Sequence, residues 1–172
     1  MRSIIETERL YLLPVSLEIA EQIQNGEFFI ENQSLLRSTE FWPDDDFLSI
    51  LPKIIQKLKS IVDHKGYTSF LLVKKDDDTV IGDVGFKTPP NEAGEIDIGY
   101  GLISSERKKG YATEAVNALI DWAFEQKDVK IITADCKIDH EASINVLKKS
   151  GAKQIRVEHG MIYWKIERRY NH

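Results

Sequence analysis

The stretch Glu106-Arg107-Lys108-Lys109-Gly110-Tyr111-Ala112-Thr113-Glu114-Ala115 decides how this chain is read. Before it, Glu95 to Ile103 alternates: Ile96, Ile98, Tyr100 and Leu102 share one face of a strand, with Asp97, Gly99 and Gly101 on the other. After it, Ala112, Ala115, Val116, Leu119, Ile120 and Ala123 recur at the spacing of a buried helical stripe. A basic loop with one glycine therefore joins a strand to a helix N-terminus. Free backbone N–H groups and the positive end of the helix dipole make such a junction an anion site. Gly110 has no side chain to keep a phosphate from the backbone, and Arg107, Lys108 and Lys109 add charge beside it. The expectation is a diphosphate cradle.

The pattern Arg-x-x-Gly-x-Ala at Arg107, Gly110 and Ala112 resembles the acetyl-CoA signature of the GNAT N-acetyltransferase superfamily. The wider string from Ile98-Gly99-Tyr100 to Ala115, and the opening Glu6-Thr7-Glu8-Arg9-Leu10, are similar to its branch of bacterial ribosomal-protein N-terminal acetyltransferases. The resemblance implies an α/β (α+β) GNAT fold: a mixed central sheet of about seven strands, helices on both faces, and a V-shaped splay between two parallel strands. It also implies acetyl-CoA as cosubstrate, held by Leu102, Ile103, Arg107, Lys108, Lys109, Gly110, Tyr111, Ala112, Thr113, His140 and Ser143.

At 172 residues the chain suits one domain, residues 1–172, with a full core. Hydrophobic content of 42% with 30% charged residues is ordinary for a soluble globular protein. No apolar run is long enough to span a bilayer, and Met1-Arg2-Ser3 opens no secretory signal. The single cysteine, Cys136, suits a reducing cytoplasm. A net charge of −5 argues against a general nucleic-acid role. His64, His140, His159 and His172 show no ligand spacing, so no metal is expected.

Read in order, Thr7 to Val15 is a strand, and Ser16 caps a helix stopped at Gly26. Residues 27–46 are irregular and end in Phe41-Trp42-Pro43-Asp44-Asp45-Asp46, either walling an acceptor site or capping the core with Trp42. Ser49 to His64 is an amphipathic helix with Pro52 in its first turn. Strands follow at Tyr67–Lys74 and Val80–Lys87, then the central strand, the long helix, and a strand at Val129–Lys137. A short helix at Glu141–Ser150 and a hairpin of Ala152–Glu158 with Met161–Glu167 close the order β-α-α-β-β-β-α-β-α-β-β.

Acetyl transfer from a thioester to an amine needs a neutral amine, a polarised carbonyl and a proton for the thiolate. A backbone N–H around Leu102 can polarise the carbonyl. Asp97 is the first choice of base, acting through water, with Glu95 second. The run Asp139 to Ala152 resembles the family's Asn-x-x-Ser-x-x-x-Leu-x-x-x-Gly segment, which puts Ser143 beside the sulfur and His140 where relatives carry asparagine. Either His140 or Asp139 can cap that helix. Cys136 reads as a buried small residue, Tyr163 and Trp164 as core or as borders of the acceptor pocket, and Arg168-Arg169 as solvated charge. The expected function is direct transfer of acetyl from acetyl-CoA to a primary amine, on a protein N-terminus or a small molecule. The alternative is a catalytically silent acyl-CoA-binding sensor or partner-binding module. No nucleic-acid or membrane partner is expected, and the resemblance admits a homodimer.

Overall fold

Burial alternates along Leu10–Pro14, Ile131–Lys137 and Met161–Glu167 and is continuous along Val80–Phe86, as expected where both faces of a strand are covered. The computed structural model describes residues 3–27, 36–60 and 65–168. Its strands are β1 (Ile5–Glu6), β2 (Leu10–Pro14), β3 (Ser69–Lys74), β4 (Val80–Phe86), β5 (Glu95–Leu102), β6 (Ile131–Lys137), β7 (Lys153–Glu158) and β8 (Met161–Glu167). They form one eight-stranded mixed sheet in the order β1-β2-β3-β4-β5-β6-β8-β7. Only β5 and β6 run parallel, joined by the crossover helix α3 (Tyr111–Glu125). The expected mixed α/β sheet is present, with one strand more than the seven anticipated. The addition is β1, which lies ahead of the strand expected at Thr7–Val15 and pairs antiparallel with β2; Thr7-Glu8-Arg9 forms the turn between them, so the expected strand starts only at Leu10.

Helices cover both faces. On β4, Phe86 meets Trp122 of α3 at 5.5 Å between ring centroids, and Tyr67 stands edge-on to both. The same face carries α4 (Glu141–Lys149), which packs on α3. The opposite face carries α1 (Leu17–Gln24) and α2 (Asp45–Ser60), which pack on each other. Ser16 caps α1 as expected, its hydroxyl accepting the Ile19 N–H at 3.1 Å.

The second helix starts earlier than its apolar spacing suggests. The Asp44 carboxylate accepts the Phe47 N–H at 2.9 Å, so Asp45 and Asp46 form the first turn. Pro52 consequently lies in the helix interior rather than its first turn, and contributes no N–H there. The expected residues Ile61, Val62 and His64, and positions 28–35 of the preceding loop, lie outside the described residues. Trp42 is 4% exposed with its ring 5.4 Å from Phe47, which favours its core-filling reading.

Tight contact between β4 and β5 sets the geometry of everything beyond them. A Cβ on Gly82 would lie 2.1 Å from the Gly101 carbonyl oxygen and 3.0 Å from Leu102 Cα. That atom is backbone and cannot rotate away. Gly82→Ala should therefore destabilise the fold by about 1–3 kcal/mol. At about 2–4 °C of Tm per kcal/mol for a chain of this size, thermal unfolding resolves it. An unchanged Tm would show that the two strands are not held this close.

Candidate active site

The parallel pair β5–β6 is short-lived. Glu95, Ile96 and Asp97 pair with Ile131, Ile132 and Thr133, and no register continues beyond them. β6 keeps its ladder with β8 through Lys137, and β5 keeps its own with β4 through Leu102, so the two strands part between these ladders. Which backbone groups face the gap follows from the register. Ile103 N–H donates to the Ile81 carbonyl at 3.0 Å and Lys87 N–H to the Asp97 carbonyl at 2.8 Å. Hydrogen-bonded pairs alternate in an antiparallel ladder. Asp97, Gly99 and Gly101 therefore direct their backbone groups at β4, and the Ile98 carbonyl with the backbone groups of Tyr100 and Leu102 turns into the gap.

At the open end, a 3-10 turn (Ser104–Glu106) leads into the basic loop. Gly110 is the N-cap of α3 at φ 85°, a left-handed conformation that costs glycine little. It has no side chain to cap, so the leading N–H groups of Tyr111, Ala112 and Thr113 are free of intrahelical acceptors. The three cations diverge. Arg107 turns back, its Nε donating to the Leu102 carbonyl at 3.0 Å. Lys109 pairs with Glu106 at 3.0 Å, and Glu106 also faces Lys74 at 3.8 Å. Lys108, exposed and at φ 62°, makes no ion pair among the described residues. Leu102 and Ile103 bury their side chains, and the Ile103 N–H is committed to β4, which leaves the Leu102 N–H as the group these two offer to the gap.

A residue far away in sequence holds this loop. Arg9 lies 4.3 Å over the Tyr111 ring, donates from Nη1 to the Lys109 carbonyl at 2.9 Å, and pairs through Nε with Glu114 at 2.7 Å. Thr7 donates to the other Glu114 oxygen at 2.6 Å, which also accepts the Arg9 N–H. Burial would raise the Glu114 carboxyl, but these hydrogen bonds outweigh it and hold the group below the ordinary glutamate value. Nothing local in the sequence marks Arg9 for this role.

On the α3–α4 face, Tyr100 donates its hydroxyl to the Ser143 carbonyl at 3.2 Å. Burial, with a contribution from Cys136, pushes the Tyr100 hydroxyl up to about 12. His140 is the N-cap of α4 yet caps no backbone; its Nδ1 lies 2.6 Å from Ser143 Oγ. The capping expected of His140 or Asp139 is thus not made by a side chain. Cys136 is buried as expected and accepts the Trp164 indole N–H at 3.3 Å, which assigns Trp164 to the core. Tyr163 lies on the other face beneath Arg156 at 3.9 Å. Arg168 is not free charge: Nη2 bonds the Gln126 and Val129 carbonyls at 2.8 and 3.1 Å.

The α2 face of the gap is charged. Asp97 marks the point where the strands part, with Oδ2 2.7 Å from Lys87 Nζ and Oδ1 accepting from Thr133 at 3.0 Å. Lys87 also reaches Asp135 of β6 at 2.6 Å, so one ammonium bridges both strands. Burial works against its charge, but the bonds to Asp135 and Asp97 win and hold Lys87 above the ordinary lysine value. Its chain passes over Gly99, where a Cβ would stand 3.6 Å from Lys87 Cε. Glu95, the second choice of base, accepts instead from Asn91 at 3.3 Å. Asp83, on β4, is a buried acid that sequence reading passed over; its signal is an acid inside the run Val80-Ile81-Gly82-Asp83-Val84-Gly85-Phe86.

The chain resembles known proteins over most of its length. The family model of the acetyltransferase (GNAT) domain matches residues 9–153. The uncharacterized N-acetyltransferase YjdG of Bacillus subtilis is 32% identical over 148 residues, covering 86% of this chain and 88% of its own. Among solved structures, RimL, a ribosomal alpha-N-protein acetyltransferase in complex with coenzyme A, superposes with TM-score 0.66 at 16% identity over 96% of this chain and 98% of its own. The microcin C7 self immunity acetyltransferase MccE, in complex with acetyl-CoA and AMP, gives 0.62 at 18% over 94% and 93%.

The Arg9–Glu114 tie predicts a pH-dependent contribution to stability. Because the folded carboxyl is held below its unfolded value, the contribution is complete above about pH 4.5 and is lost as pH falls through the folded value. Discounted for the 41% exposure of the Arg9 side chain, Glu114→Gln should cost about 1 kcal/mol at pH 7. Denaturant unfolding at neutral and acid pH checks this; an equal deficit at both would refute it.

Proposed function

The chain belongs to the acetyltransferase (GNAT) family, and we propose that it moves the acetyl group of acetyl-CoA to a primary amine by direct attack. The observation that carries this reading is the gap between β5 and β6, edged by unpaired backbone groups and leading to the free N–H groups of α3. The residues suit the cosubstrate. The Ile98 carbonyl and the Tyr100 backbone can pair with the amides of a pantetheine arm. Tyr111, Ala112 and Thr113, with Gly110 bare and Lys108 adjacent, offer N–H groups and charge to a diphosphate. Acetyl-CoA supplies the activated acyl group and a thiolate leaving group.

The chain's own groups then have separate tasks. The Leu102 N–H polarises the acetyl carbonyl. Ser143 hydrogen-bonds the sulfur, and His140 at 2.6 Å orients that hydroxyl. Arg107 and Lys109 shape the loop through Leu102 and Glu106. With both oxygens engaged, Asp97 acts chiefly through Lys87, whose bridge to Asp135 sets the width of the gap. The amine enters from the α2 face, opposite Ser143. Acceptors consistent with this are the N-terminus of a protein, as acted on by the RimL neighbour, or a small-molecule amine.

The test is thiol release from acetyl-CoA against a panel of amines and N-terminal peptides, with calorimetric titration of CoA alongside. Release with one acceptor class is expected, and CoA binding without release across the panel would favour the silent binding module. Ser143→Ala should lower kcat by about ten- to a hundredfold, the worth of a hydrogen bond to a charged group. CoA affinity should stay within about threefold. An unchanged kcat would reduce Ser143 to packing.

A further inference from the structure

β4 is buried along its whole length, yet one of its residues is a carboxylic acid. Asp83 is 9% exposed, and among the described residues nothing donates a hydrogen bond to its carboxyl. A buried acid without a partner costs stability, and folded proteins hold few of them. Its register explains what it can reach. Asp83 pairs with Leu71 on β3 and Gly101 on β5, and a Cβ on Gly101 would lie 3.4 Å from Asp83 Oδ1. The carboxyl therefore overlies the backbone next to Leu102, whose N–H turns into the gap.

The surroundings leave the acid unneutralised. Asp44 and Asp46, at the head of α2, act on it and are of the same sign. Leu71 and Gly101 bring no charge. Lys57 of α2 is bonded to the Phe86 carbonyl at 2.6 Å, and Lys87 is committed to Asp97 and Asp135. Burial first, and then the two aspartates, hold the Asp83 carboxyl up to about 7. A group half-charged near neutral pH is matched to accepting a proton there.

We infer that Asp83 receives the proton of the attacking amine, an assignment that rests on the acetyl-transfer reading above. The acceptor arrives as an ammonium, attracted by Asp44 and Asp46. The Asp83 carboxylate takes one N–H proton, and the freed lone pair forms the C–N bond to the acetyl carbonyl carbon. The C–S bond breaks with its electron pair going to sulfur. The nitrogen, still carrying one proton too many, sheds it, and the sulfur is protonated through Ser143 or water. Asp83 returns its own proton to solvent. The sum is ammonium plus thioester giving amide, thiol and one released proton.

The experiment compares wild type and Asp83→Asn with the acceptor amine found in the panel, measuring kcat from pH 5.5 to 9. Wild type should lose kcat below about pH 7 with a slope of one. Asp83→Asn should fall by about a hundredfold or more and lose that limb, with CoA affinity unchanged. A variant that keeps its rate within about threefold, or keeps the limb, overturns the assignment while leaving acetyl transfer intact. A wild type that releases no thiol with any acceptor sinks the parent reading and this one with it. Two further measurements bear on the same carboxyl. Asp44→Asn/Asp46→Asn, which preserves the cap, should move the wild-type limb to lower pH; an unmoved limb counts against Asp83. A raised carboxyl also costs stability as pH rises from its unfolded value through its folded one. Asp83→Asn should therefore gain Tm relative to wild type between pH 5 and 8, and a pH-independent difference would show that the carboxyl is not the isolated acid described.

Discussion

A parallel strand pair that separates leaves amides and carbonyls with no partner, and unpartnered backbone is tolerated only where something else can pair with it. Here β5 and β6 separate after Asp97 and Thr133, and both are stiffened on their far sides by ladders to β4 and β8. The gap is therefore held open by strands that cannot relax into it. Gly82 and Gly101 bring β4 and β5 into near contact, and Lys87 fixes the distance across the mouth. The opening is a rigid feature of the sheet and not a loop conformation.

The two faces of that opening differ in chemical character. The α3–α4 face offers hydroxyls and an imidazole: Tyr100, Ser143 and His140. The α2 face carries acids and one bridging lysine: Asp44, Asp46, Asp83, Asp97, Asp135 and Lys87. In the acetyl transfer proposed above, the sulfur leaving group would meet the hydroxyl side, and an amine arriving as its ammonium ion the acidic one. Pleating produces this division, because Tyr100 and its neighbours Gly99 and Gly101 must point to opposite faces.

Much of this was legible in residues alone. Periodicity located the central strand and α3, and the glycine in a basic loop marked the turn that leads from one to the other. Helix starts were harder: the apolar spacing suggested a start at Ser49, but an aspartate cap at Asp44 places the first turn at Asp45 and changes the setting of Pro52. The site divides in the same way. Backbone groups near the loop were proposed from the motif. Arg9, Lys87 and Asp83 were not, because each acquires its role by cross-strand placement, and a single chain does not reveal which strands are neighbours. Asp97 shows the converse: its position was read correctly while its partners, Lys87 and Thr133, were invisible.

The hold of Arg9 on Lys109, Tyr111 and Glu114 has a consequence for the order of assembly. It joins residues about a hundred positions apart, with the whole α1-to-β5 segment looped out between them. Closing so long a loop carries an entropic cost that the intervening strands must meet first. On a ribosome the N-terminal arginine waits, solvated, until the far side of the chain emerges. The loop thereby takes its final shape only once both ends of this contact are in place. A half-made chain should have no competent cradle, and ligand binding at this loop reports that the first strand has docked.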